Sequence, residues 1–357
     1  TVKDPLAAQG DPMQRHHVLF LSALAALLAI PNPTVAQQQE RLEIDEWVVP
    51  WEQSRPRDPF VGPDGKVWFV GQRSHYAAYL DPETGEFKKF DLDDGTGPHT
   101  LIVDDDGTVF YAGNRVRHIG RLNPETGEIK KFWMPDEAAR DPHTMVFNHD
   151  GDVWFTVQQG NFVGKFTKGT GDVQLVAAPE VQGGRSSSTR PYGIKVDSQN
   201  RPWIALFNTN KIGTVDPETM EMKTYDLPEG ARPRRLEIDS QDIIWYVDYR
   251  RGYLGRLDPE TGAVREWANP SGENARPYGM AIDDDDRIWF VETGVQPNRF
   301  VGFDARTNQY ISNTEVGSGG GTIRHMHFHK ETNTVWFGAD TNTIGRAKLP
   351  PRRRGVS

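Results

Sequence analysis

Seven copies of one segment mark this chain as all-β: a seven-bladed β-propeller of four-stranded blades whose N-terminal strand closes the last blade. Three observations carry that reading. A segment of constant design recurs along the chain. Each copy holds four short strands, and the last copy lacks a strand that the N-terminus supplies.

The recurrence is plain once aromatic anchors are aligned. "PHTLIVDDDGTVFYAGNRVRHIGRLNPETGEIKKFWMP" (98–135) matches "PHTMVFNHDGDVWFTVQQGNFVGKFTKGTGDVQLVAAP" (142–179). The same frame returns at "RPYGIKVD", "RPRRLEID" and "RPYGMAID", with a weaker copy from Arg55 and a last one in "TIRHMHFHKETNTVWFGAD". Anchors fall at Trp68, Phe110, Trp154, Trp203, Trp245, Trp289 and Trp336, 42 to 49 residues apart. Within a copy, an inner strand runs to a turn of the Asp-Asp-Gly type, and the anchor strand follows. A third strand carries an Ile-Gly-Arg pattern, and "DPETG" reverses the chain into the fourth, as Asp-Pro and a late Gly do in hairpins. The seventh copy stops after "NTIGRAKLP", while "EIDEWVVP" (43–50) aligns with "EIKKFWMP" (128–135). The N-terminal strand is therefore expected to complete the C-terminal blade and remove two exposed edges.

Composition agrees. The 357 residues are 36% hydrophobic, with Gly 35 and Pro 25, enough apolar material for a large core and many turns. A net charge of −9 argues against nucleic acid or an anionic membrane as partner, and a small-molecule substrate and a monomer are expected. The apolar run Val18–Ile30 follows a basic start and precedes Thr34 and Ala36 at cleavage-site spacing, which reads as a signal peptide over 13–36. Residues 1–12 read as upstream of the initiator, 37–350 as the propeller, with no membrane span in the mature protein, and 351–357 as a solvated basic tail. The mature protein is expected to be periplasmic or secreted. With no cysteine it cannot be stapled by disulfides, so packing must hold it.

Eleven residues before the anchors stand Arg57, His99, His143, Tyr192, Arg234, Tyr278 and His325. Residues two and four further on are mostly apolar, so this position opens the inner strand, and the ring symmetry would gather seven polar side chains at one mouth of the channel. Such a set points to a ligand site. In the last blade a second register is open: a turn longer by one residue would give the ring position to Arg324 and the packing face to Met326 and Phe328. A metal cage of His325, His327 and His329 is disfavoured, since side chains at i and i+2 along a strand diverge too far for one tetrahedral centre. Asp248, Glu292 and Asp340 follow the anchor strands and could face the same mouth, as oxygen ligands for a hard cation or to orient a histidine.

The Pro-His/Tyr-Gly openings, the Trp-Phe-x-Glu strand and the Asn-x-Ile-Gly-Arg strand resemble the virginiamycin B lyase (streptogramin lyase) family, within the NHL/SMP-30-like propellers, over residues 43–350. The resemblance implies a C–O lyase that opens a cyclic ester by elimination, assisted by Mg²⁺. By position it assigns the general base to His325 and one metal carboxylate to Asp340. The family's second metal carboxylate falls on Ile323, and its substrate-contacting sixth-blade histidine falls on Tyr278. With weaker metal ligation, Arg57 and Arg234 could stabilise the enolate in its place. Two other readings stand beside the lyase: a non-catalytic exported propeller that binds a ligand or partner, and, third, a metal-dependent hydrolase of the lactonase kind.

Overall fold

The computed structural model describes residues 39–181 and 187–353. Seven four-stranded antiparallel sheets follow one another along the chain, and the described residues add only one 3-10 turn, Gly272–Asn274. The inner strands are Pro56–Val61, Leu101–Val103, Pro142–Phe147, Pro191–Val196, Pro233–Ile238, Pro277–Ile282 and Ile323–His329. Each lies against the inner strand of the next blade, and the last lies against the first. The ring is therefore closed, with the polar openings of these strands on its inside.

Closure follows the expected route. Glu43–Val48 pairs antiparallel with Thr343–Lys348, Glu43 opposite Lys348 and Val48 opposite Thr343. Trp47 stacks on the anchor Trp336 at 5.5 Å, and the Arg346 guanidinium lies over both rings. The start of the C-terminal tail departs from the free terminus expected of it. Arg353 donates its backbone N–H to Asp285 at 2.9 Å, and Arg287 holds the Pro350 carbonyl at 3.0 Å, fixing residues 350–353 to the sixth blade. The signal segment lies outside the described residues.

Local chemistry explains why the repeats fold alike. Three residues before every anchor the backbone is left-handed: Gly65, Gly107 and Gly151, then Asn200, Asp242, Asp286 and Asn333, with φ between 52° and 84°. Glycine, asparagine and aspartate are the residues that tolerate that conformation. The anchors are all buried. In blades 4 to 6 an aspartate six residues earlier accepts the indole N–H at 2.8 Å, from Trp203 to Asp197, Trp245 to Asp239 and Trp289 to Asp283. The glycine of the third strand is there for space. A Cβ on Gly120, Gly164, Gly255 or Gly345 would fall 2.0–2.2 Å from the ring of Tyr111, Phe155, Tyr246 or Phe337 on the anchor strand.

Candidate functional site

A β-bulge shapes the mouth. In six of the seven blades the pairing slips by one residue just after the opening of the inner strand, as between Pro142 and Met145 or Pro233 and Leu236. The extra residue breaks the strict alternation of side chains and re-aims its neighbours. In the last blade Ile323 pairs with Ala339 as Pro277 pairs with Glu292, so Arg324 takes the ring position and His325 the one after it. Met326 then packs in the core, fully buried, and the longer turn accounts for the extra residue.

The ring residues meet. The rings of His99 and His143 lie 3.4 Å apart between centroids, and His143 contacts Tyr192 at 4.4 Å. Tyr192 and Tyr278, two blades apart, are hydrogen-bonded through their hydroxyls. The Arg234 guanidinium sits 3.5 Å above the Tyr278 ring and 4.3 Å from that of Tyr249, a cation–π box. Arg57 and Arg235 are buried, at 5% and 4% exposure.

The residue after the ring position crosses the axis. Arg235 of blade 5 donates Nη1 to Thr144 Oγ1 of blade 3 and Nε to the Arg324 carbonyl of blade 7, both at 3.0 Å. Its Nη2 is 3.5 Å from Asp58 Oδ2 of blade 1. Asp58 is also 3.5 Å from Arg57 Nε and 3.8 Å from His99 Nδ1. One buried carboxylate thus faces two guanidiniums and an imidazole. Thr144 Oγ1 accepts from Arg235 and is hydrogen-bonded to His143 Nδ1 at 2.8 Å, linking that imidazole to the guanidinium. His325 joins this assembly through the Arg324 carbonyl held by Arg235, and its Nδ1 has no hydrogen-bond partner.

The imidazoles are neutral. Burial holds His99, His143 and His325 well below the usual histidine range, and the nearby guanidiniums of Arg57 and Arg235 push all three the same way. Burial alone would raise the Tyr192 phenol, but Arg234, Arg57 and Arg235 more than offset it and bring it down. Its partner Tyr278 moves up, through burial and the charge on Tyr192.

The carboxylates do not converge on a cation. Arg324 grips Asp340 with both terminal nitrogens, one at 2.6 Å from Oδ2, and Arg55 lies 3.6 Å from Oδ1. Glu292 is fully buried with both oxygens on Ser271, one accepting its N–H at 2.9 Å, and burial raises its pKa. Asp248 accepts three backbone N–H groups and pairs with Arg251. Ile323 is in the core. Among the described residues no three His, Asp or Glu side chains form a metal-binding group. This donor set does not fit Mg²⁺, because each candidate oxygen already faces protein donors.

Two central members, Asp58 and Arg235, escaped the sequence reading. Period-two counting assigns the residue after the ring position to the other face of the strand, and the bulge overturns that rule. A signal was present: that column reads Asp58, Thr100, Thr144, Gly193, Arg235, Gly279 and His325, with no large apolar residue.

Comparison with known proteins agrees with the architecture. The model of the Virginiamycin B lyase family matches residues 30–185 and 184–350. A streptogramin B lyase structure is 25% identical and covers 87% of this chain and 98% of its own, with a TM-score of 0.76. A catalytically inactive histidine-to-alanine variant of virginiamycin B lyase from Staphylococcus aureus, with quinupristin, is 22% identical over 87% of this chain and 100% of its own, TM-score 0.77. The extracellular domain of a one component system from B. thetaiotaomicron is 16% identical, covering 88% of this chain and 43% of its own, with a TM-score of 0.65. No curated protein sequence matches the chain.

Proposed function

The chain belongs to the virginiamycin B lyase family, and from that premise we propose that it is an exported carbon–oxygen lyase that opens ester-type substrates by elimination, with His325 as the base. One observation carries the reading. His325 carries a buried ring nitrogen without a hydrogen-bond partner and directly follows Arg324, whose carbonyl the Arg235 guanidinium holds, and burial with that positive charge keeps its pKa well below the usual histidine range.

The chemistry balances without water. His325 takes the proton α to a carbonyl, the α–β bond becomes double, and the β C–O bond breaks to release a carboxylate. Arg57 and Arg235, which share only the Asp58 carboxylate as counter-ion, stabilise the charge on the enolate. An imidazole this weak at rest gains basicity as negative charge forms beside it. No step passes through a metal. The inactivity of the histidine-to-alanine relative supports a histidine-dependent reaction in the family. Export rests on the apolar run Val18–Ile30 and its flanks.

Mass spectrometry tests the reaction, with quinupristin and with linear peptides carrying an O-acylated threonine as probes. Elimination leaves a cyclic ester's mass unchanged on opening and creates an ultraviolet-absorbing alkene, whereas hydrolysis adds one water. His325→Ala is expected to lower the rate by about 10²–10⁴-fold. Product carrying solvent oxygen, or wild-type rates in His325→Ala, would refute the proposal.

A second reading, a ligand-binding propeller without catalysis, is favoured by the side chains that already span the axis. Arg235 ties blades 1, 3, 5 and 7, and the Tyr192–Tyr278 bond ties blades 4 and 6. In that case no probe turns over, and His325→Ala keeps its ligand.

A further inference from the structure

The net charge of the chain is −9, yet the mouth is crowded with arginine. Three guanidiniums, Arg57, Arg234 and Arg235, belong to the axial cluster. Three more, Arg232, Arg250 and Arg276, line an adjoining depression of about 660 Å³. Tyr249 belongs to both places, since it walls the depression and its ring lies against Arg234.

Counter-charge is scarce. Asp58 serves Arg57 and Arg235 at 3.5 Å each, and Asp248 is spent on Arg251 and backbone N–H groups. Among the described residues no ion pair joins Arg232, Arg234, Arg250 or Arg276 to a carboxylate; Arg232 holds only the Phe207 carbonyl and Asn208 Oδ1. Inside the cluster Arg57 Nη2 and Arg234 Nε have no acceptor, and Arg57 Nε and Arg235 Nη2 face only the Asp58 carboxylate at 3.5 Å, beyond a good hydrogen bond. Unbalanced positive charge of this kind is costly, and an anion held against Arg234 and the depression would offset it. Burial and the like charges of Arg190 and Arg234 already weaken the hold of Arg232 on its proton.

We propose that this mouth binds a small polyanion, a molecule with at least two carboxylate or phosphate groups, one against Arg234 at the edge of the axial cluster and another among Arg232, Arg250 and Arg276. Planar guanidiniums pair with both groups in bidentate fashion. The size of the depression suits a small molecule. A nucleic acid is repelled by the rest of the surface. The inference rests on the mouth being the ligand site and is independent of the elimination chemistry.

Isothermal titration of the full chain tests it, with citrate and pyrophosphate as the carboxylate and phosphate probes and acetate, choline and glucose as controls. Citrate or pyrophosphate is expected to bind at least tenfold more tightly than acetate and to weaken with added salt. Choline and glucose should give no heat. Arg232→Gln with Arg276→Gln, and separately the exposed Arg250→Gln, should each weaken the polyanion tenfold or more. Lys223→Gln on an outer strand should leave it unchanged, and melting curves would verify folding. Equal binding of all probes, no binding of any, or polyanion binding indifferent to the arginine substitutions would overturn the proposal. Polyanion binding without turnover would leave it intact while removing the lyase reading, and ester opening without polyanion binding would do the reverse.

Discussion

Asp58 has both oxygens within a few ångströms of cationic or potentially cationic groups on three blades: Arg57 on its own, His99 on the second and Arg235 on the fifth. A buried carboxylate in that position does more than balance charge. It keeps two guanidiniums buried beside the axial imidazoles, where the proposed reaction needs them. Asp58→Asn leaves both arginines without their shared counter-ion and is expected to destabilise the fold by about 3–5 kcal/mol. Combined with Arg235→Gln it should cost less than the sum of the singles, by about 1 kcal/mol or more, because the two groups act as one network. Urea unfolding of the four proteins of this cycle measures the coupling. Additive losses would show that Asp58 and Arg235 do not interact.

At the scale of the strand, the mouth exists because the inner strands bulge where they begin. The same bulge limited how far the site was legible beforehand. Arg57, His99, His143, Tyr192, Arg234 and Tyr278 follow from counting back from the anchors, since the turn from inner to anchor strand has one length in those blades. Asp58 and Arg235 do not, because regular alternation sends them to the wrong face. Arg324 and His325 stayed exchangeable until the pairing of Ile323 with Ala339 showed the longer turn. The carboxylates Glu292 and Asp340 were legible as positions, but not as partners of Ser271 and Arg324, which are contacts between segments 16 to 21 residues apart. The third-strand glycine gives a separate test of packing. Gly255→Ala drives a methyl into the Tyr246 ring and is expected to cost about 1–3 kcal/mol. Gly213, whose nearest neighbour is a flexible Met222 side chain at 3.3 Å, should accept alanine with about 0.5 kcal/mol or less of change. Equal losses by thermal melting would refute the steric account of that column.

Over the whole molecule, the blade count and the closure were readable because repetition averages out local ambiguity and the terminal strands align residue for residue. The same ring buries imidazoles in their neutral form, with a consequence for acid stability. His99, His143 and His325 sit well below their ordinary value of about 6.5, burial lowers His327 to about 3, and burial with Lys131 lowers His118 to about 4. Below pH 6.5 the unfolded chain binds protons that the native state refuses. Their stabilisation is complete above that pH and is lost as pH falls toward the native values, by up to about 1.4 kcal/mol per pH unit for each imidazole. Melting temperature should therefore fall steeply from pH 6.5 to 4.5, and His118→Asn should flatten the slope; a profile unchanged over that range would contradict it. In the proposed reaction, guanidiniums and a neutral imidazole at the axial mouth carry out elimination without a metal. The direct measurement is the rate of opening of quinupristin and O-acylthreonyl peptides by wild type with and without chelator, and by Arg57→Gln with Arg235→Gln. A chelator-resistant wild-type rate and a loss of about 10²-fold or more in the double variant are expected. Opening that stops with chelator and returns with Mg²⁺, while the arginine variant keeps the full rate, would refute the metal-free reaction.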